Sequence, residues 1–107
     1  MQDILKLQAE ICKAFAHPQR IELIKILCDK EITAGELLEK VKINKVNLSQ
    51  HMAILINKGI VSSRKHGKNV SYKLADTRII KACNLMREVL LTALEQKHFV
   101  FKKAKKL

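Results

Sequence analysis

Ile43–Arg64 reads INKVNLSQHMAILINKGIVSSR, and this stretch decides the fold. Asn44 can cap a helix, because its side-chain oxygen accepts an orphan amide of the first turn. Behind it Leu48, Met52, Leu55 and Ile56 recur at helical spacing, and Lys58-Gly59 supplies a stop. The helix so defined runs over about Lys45–Lys58. Its other face carries Lys45, Asn47, Ser49 and Gln50, polar groups able to meet base edges or phosphates. After Gly59 the period changes. Val70, Tyr72 and Leu74 alternate with Ser71 and Lys73, the pattern of a half-buried strand, and Ile60–Lys65 is its expected partner. His66-Gly67-Lys68-Asn69 is the turn between them, since Gly67 tolerates the positive φ of a tight hairpin.

Upstream, Asp3–Ala16 is a first helix with Ile4, Leu7, Ile11 and Phe15 in one stripe. His17 ends it. Pro18, the only proline, suits the first turn of a second helix over about Pro18–Asp29. Ile21, Ile24, Leu27 and Cys28 form its main buried side, and Leu23 and Ile26 widen that face. Thr33 to Glu36 fits a capping box, with Glu36 reaching back, for a short helix through about Val41. Lys42–Asn44 is then a connection of helix-turn-helix length. Downstream, Asp76 caps a last helix over about Thr77–Gln96, lined by Ile79, Cys83, Met86, Leu90 and Ala93. The order is helix, helix, a short strand, helix, recognition helix, hairpin, helix. This is a mainly α winged helix-turn-helix with a small β-hairpin wing.

Residues 1–107 form one domain by length, able to bury roughly two-thirds of its unfolded surface. Residues 97–107 read as a basic tail, with Lys102, Lys103, Lys105 and Lys106 in solvent or against phosphates. Lys and Arg number 21 against 10 Asp and Glu, a net charge of +11 that favours a polyanionic partner. The longest apolar run, Met52–Ile56, is far short of the ~18 residues of a membrane span, and no secretory signal is visible. Cys12, Cys28 and Cys83 are an odd, widely spaced set, which predicts a reducing cytoplasm rather than a disulfide framework. With 4% aromatics and no Trp, base-stacking platforms for single strands are not expected.

A helix fits the major groove of duplex DNA, where every base pair has its own donor and acceptor pattern, and the preceding helix braces it. Asn47, Ser49 and Gln50 are the candidates for base contact. Lys45 can reach a base or a phosphate, and Val46 a thymine methyl. Arg64, Lys65 and Lys68 of the wing can lie along the flanking backbone. Asn44 reads equally as a cap alone, His51 as a packed histidine, and Lys58 and Lys73 as solvated charges.

The chain resembles the ArsR/SmtB family of bacterial transcriptional repressors. The likeness rests on FAHPQRIELIKIL, on EITAGELLEKVKINKVNLSQHMAILINKGIVSSRKHGKNVSYKL, and on the closing helix from Asp76. It covers roughly residues 10–95. It implies a homodimer joined through the first and last helices, a near-palindromic operator and an inducer that releases the DNA. The apolar faces of the two end helices point to the same dimer, with recognition helices about one DNA turn, ~34 Å, apart.

The resemblance stops at the inducer. Where family members carry C-x-C, this chain has Thr33 and Gly35, neither a soft metal ligand. At the zinc-sensor positions Asp76 is followed by Arg78, Val89 and Thr92, and one carboxylate cannot hold zinc. The paired redox cysteines of other members align with Lys25 and Leu91. Cys12, Cys28 and Cys83 remain as a candidate thiol sensor, for a disulfide switch or a thiophilic metalloid. Their other reading is as small buried hydrophobes. His17, His66 and His98 are scattered, and no metal or cofactor is expected.

No nucleophile elbow, phosphate-cradling Gly-rich loop or set-apart carboxylate pair is present, so an enzyme is not expected. The competing function is a winged-helix module that binds protein, or DNA without sequence preference. Such a protein-binding face would expose aromatic or aliphatic anchors. Val46 is the one apolar residue on this one.

Overall fold

The computed structural model of the protein describes the backbone of residues 2–105 and the side chains of residues 3–97. Five helices and three strands follow in the expected order: α1 (Gln2–Phe15), α2 (Pro18–Leu27), β1 (Ile32–Thr33), α3 (Ala34–Lys40), α4 (Lys45–Asn57), β2 (Val61–His66), β3 (Asn69–Leu74) and α5 (Arg78–Lys105). The strands form one antiparallel sheet in the order β1-β3-β2. His66 pairs with Asn69, which leaves Gly67 and Lys68 as a two-residue turn. Gly67 takes φ +57 and Lys68 does not follow it into positive φ, the pattern of a turn with Gly at its first central position.

The core is built where α2, α3 and α4 meet. Leu23, Ile24, Leu27, Leu37, Leu48, Met52 and Leu55 are fully buried, and each such side chain contributes ~1.5–3 kcal/mol relative to exposure. Ile60, Val61, Tyr72 and Leu74 close it from the hairpin side. Burial raises the Tyr72 phenol above its ordinary pKa. Local chemistry sets the helix starts. Thr33 Oγ1 accepts the Glu36 amide at 3.2 Å and Asn44 Oδ1 accepts the Asn47 amide at 2.7 Å. Glu36 does not complete the expected box, because its carboxylate accepts the Thr33 hydroxyl at 3.0 Å rather than a backbone amide.

Several expectations need correction. α2 ends at Leu27, two residues early, because Cys28 turns the chain with φ 51 while its amide still reaches Ile24 O. The widened face of α2, Leu23 with Ile24 and Leu27, is its buried one, whereas Ile21 is exposed and Cys28 half-buried. Ile56 of α4 is exposed, because the core meets the helix along Leu48, Met52 and Leu55. Ser71 is buried against the alternation of its strand, because β3 is the central strand. His17 starts a helix as well as following one: its Nδ1 accepts the Gln19 amide at 3.1 Å and caps α2. The last helix does not stop near Gln96 but continues to Lys105, so the backbone of the basic segment is helical that far. The side chains of Lys102, Lys103, Lys105 and Lys106, and His98, lie outside the described residues.

α1 and α5 are the helices that the core does not cover. Among the described side chains of α1 only Ala14 is buried, and Ile4, Leu7 and Ile11 of the expected stripe are exposed. On α5, Ile79, Ile80 and Cys83 pack against the core, after which Leu85, Met86, Val89, Leu90, Leu91 and Leu94 are all exposed.

Candidate DNA-binding site

α4 presents a buried stripe and an exposed polar face, the stripe lacking the expected Ile56. Leu48, Met52 and Leu55 are buried, while Lys45, Val46, Asn47, Ser49 and Gln50 are exposed together on its first two turns. Val46 is 64% exposed. α3 precedes α4 through the turn Val41–Asn44 and packs against it. The capped start leaves the polar groups of α4 pointing away from the core on a rigid element.

The wing places Arg64 and Lys65 near the end of β2 and Lys68 in the turn, all exposed. Arg64 is engaged. Its Nη2 donates to Glu31 Oε2 at 2.7 Å, and its Nε donates to His66 Nε2 at 3.1 Å. Ser71 Oγ lies 3.1 Å from the same His66 nitrogen. Glu31 therefore competes with any phosphate for the Arg64 guanidinium. Glu31 was not singled out in the sequence, because nothing local to it signals a partner 33 positions away.

A second missed group is Arg20, which gathers three elements. Its Nε donates to Ala14 O at 2.6 Å at the end of α1, and its Nη1 lies 3.4 Å from Nδ1 of His51 on α4. His51 Nε2 donates to Gln19 Oε1 at 2.9 Å, and the His51 and His17 rings are 4.5 Å apart. His51 is thus packed, as its place beside the stripe suggests, and also hydrogen-bonded on both nitrogens. Its pKa is lowered first by burial, then by the charges of His17 and Arg20.

At the start of α5, Asp76 Oδ1 accepts the Arg78 amide at 2.9 Å, and both its oxygens accept from the Arg78 guanidinium at 2.6–3.1 Å. Arg78 holds the Asp76 carboxyl at about 2. The one carboxylate left at the zinc-sensor position is therefore occupied by an internal cation. The three cysteines are free, with Cys12 exposed and the other two half-buried. They do not converge within one chain: no group of three or more metal-ligating side chains occurs among the described residues. Burial raises the Cys83 thiol, against thiolate formation, although Lys25 opposes this. No helix among the described residues is long and apolar enough to cross a membrane.

A helix-turn-helix whose second helix exposes a polar face beside a basic hairpin defines the winged class of DNA-binding domains. Residues 17–63 match the family described as "Bacterial regulatory protein, arsR family". The HTH-type transcriptional regulator Rv0081 of Mycobacterium tuberculosis is 33% identical over 97 residues, covering 90% of this chain and 85% of the relative. Its crystal structure superposes with a TM-score of 0.79 at 34% identity, over 88% of this chain and 95% of that one. The biofilm growth-associated repressor of Xylella fastidiosa is 30% identical over 88 residues, 82% of this chain and 77% of the relative. The transcriptional activator HlyU of Vibrio cholerae is 31% identical over 83 residues, 78% and 77%. The chain belongs to the arsR family of bacterial transcriptional regulators, a family of DNA-binding winged helix proteins.

Proposed function

We propose that the protein is a sequence-specific repressor that binds a near-palindromic operator as a homodimer and is released by an inducer. The observation that carries this is the exposed face of α4, where Lys45, Asn47, Ser49 and Gln50 gather opposite the buried stripe. Amides and hydroxyls that both donate and accept can discriminate base edges, whereas lysine alone reads charge. Lys65, Lys68 and a released Arg64 supply phosphate contacts beside the groove. The uncovered apolar faces of α1 and α5 support the dimer. Repression needs only occupancy of DNA, while activation needs a further surface for the transcription machinery. Named relatives include both kinds, and the repressor asks less of this surface.

The test is fluorescence anisotropy with a duplex from upstream of the protein's own gene against a scrambled duplex, at one salt concentration of about 150 mM. A preference of ~10³ or more for the native duplex is expected. Equal weak binding to both would replace this reading with non-specific attraction or protein binding. Repeating the titration with oxidised thiols tests the cysteines as sensor. Loss of binding only on oxidation would assign release to them, and a Cys12, Cys28, Cys83 triple Cys→Ser variant that still releases DNA would end that idea.

A further inference from the structure

We propose that His51 is a positioning residue for DNA reading: held between Arg20 and Gln19, it locks the recognition helix to the joint where α1 meets α2, and protonation of its ring opens that joint and weakens operator binding. The inference rests on α4 being the DNA-reading helix. It adds a control over that helix from groups that do not touch DNA.

The hydrogen bonds fix the chemistry. A guanidinium has no acceptor, so Arg20 Nη1, 3.4 Å from His51 Nδ1, can only donate to a lone pair there. Nε2 carries the proton and donates to Gln19 Oε1 at 2.9 Å. The ring therefore uses its one lone pair and its one N–H, and only one neutral tautomer fits. A proton added at Nδ1 would take the lone pair from Arg20 and set an imidazolium against a guanidinium. The link from Arg20 to α4 is lost in that form.

Three elements depend on it. Arg20 also donates to Ala14 O at 2.6 Å and faces Lys13 O at 3.4 Å, closing the carbonyl end of α1. Gln19, whose amide is capped by His17 Nδ1, belongs to the first turn of α2. The groups that oppose a charge on the ring are Arg20 on α2 and His17 in the α1–α2 turn, and among the described residues no carboxylate hydrogen-bonds to it. On α1, Glu10 is occupied by Lys13 and by Lys58 at the far end of α4. Among the described residues, no hydrogen bond or ion pair from α3 or β2 reaches His51. Burial and the neighbouring charges thus oppose a second proton.

The sign follows. Burial, then His17 and Arg20, hold the folded ring below its ordinary 6.5, so the unfolded or opened state binds the proton more readily. The contribution of the joint is complete above that value and is lost as pH falls through the folded pKa.

The experiment uses the full chain and a duplex enriched by the wild type from a random pool. Affinity is measured at about pH 7.5 and about pH 5.5, with far-UV circular dichroism at each pH. The wild type is expected to lose about tenfold on acidification, two rings per dimer each excluding a proton from the bound form. His51→Gln keeps an acceptor for Arg20 and a donor for Gln19 at either pH, so it should bind near wild-type level and lose most of the acid response. His51→Leu should bind poorly at both. An acid response equal to the wild type's in His51→Gln, or wild-type binding by His51→Leu, overturns the proposal. If no duplex is enriched, the DNA reading itself fails, and the joint is then judged in the free protein by NMR. A ring that titrates below the ordinary histidine range, with the Gln19 and Arg20 side-chain signals moving alongside it, supports the joint. Independent titration refutes it.

Discussion

Gln50 carries an amide that donates and accepts in one plane, the geometry that pairs with the N6 and N7 edge of adenine. It is exposed on the second turn of α4, two residues past the buried Leu48. Gln50→Ala should weaken binding to the preferred duplex by ~1–3 kcal/mol while hardly changing binding to random DNA. An equal loss on both duplexes in the anisotropy assay would remove Gln50 from base reading. Asn44, by contrast, was open to two interpretations in the sequence, and its side chain is committed to the Asn47 amide at 2.7 Å. This difference was not legible from residue type, since both side chains are amides. Position within the helix separates them: one lies before the first turn, where amides are orphaned, and the other after it.

The wing is a shorter and more exposed element, and its contribution is electrostatic. Lys68 stands at the tip of the turn, where only charge can act at a distance. Lys68→Ala should weaken binding to every duplex and lower the slope of log affinity against log salt by about one. An unchanged slope would mean that the tip does not meet phosphate. Arg64 behaves differently, because Glu31 holds it at 2.7 Å. Glu31→Gln should change stability by less than about 1 kcal/mol, as an exposed pair does. It should strengthen DNA binding by about threefold, by sparing the exchange of a carboxylate for a phosphate. In an Arg64→Ala background the same change should do much less, and a double-mutant cycle showing equal gains in both would deny Arg64 its phosphate. The elements themselves were legible wherever their signals are local: the Asn44 cap, the Leu48–Met52–Leu55 stripe, the Gly67 turn. What escaped are contacts between distant positions, Glu31 with Arg64 and Arg20 with His51, separated by 33 and 31 residues. A side chain's pattern in the sequence names its face and not its partner.

The molecule as a whole is too extended for a self-sufficient domain of its length. Its radius of gyration is 17.3 Å and its longest extent 65 Å, against about 13 Å for a compact domain of this size. The cause is α5, whose 28 residues span ~42 Å. Its start is anchored by Ile79, Ile80 and Cys83, and beyond them Leu85, Met86, Val89, Leu90, Leu91 and Leu94 are uncovered. The sequence placed Met86 and Leu90 in one stripe with Ile79, Cys83 and Ala93, but it did not single out Leu85 or Leu94 and could not show that the chain's own core stops at Cys83. α1 has the same character, with Ile4 and Leu7 about two-thirds exposed. A single protomer leaves both surfaces in water, and two-fold pairing of the same surfaces would remove them while setting two α4 helices on one side of the assembly. Leu90, 56% exposed near the middle of α5, is the place to probe this. Burying a leucine is worth ~1.5–3 kcal/mol, and the symmetric interface would lose two of them in Leu90→Glu. The dimer dissociation constant should therefore rise by about two to four decades, and further if the carboxylates are forced out of water. The core around α2, α3 and α4 does not include Leu90, so the variant should still show helical circular dichroism and run as a monomer in sedimentation equilibrium. A folded dimer of Leu90→Glu with wild-type affinity would move the interface elsewhere on the molecule.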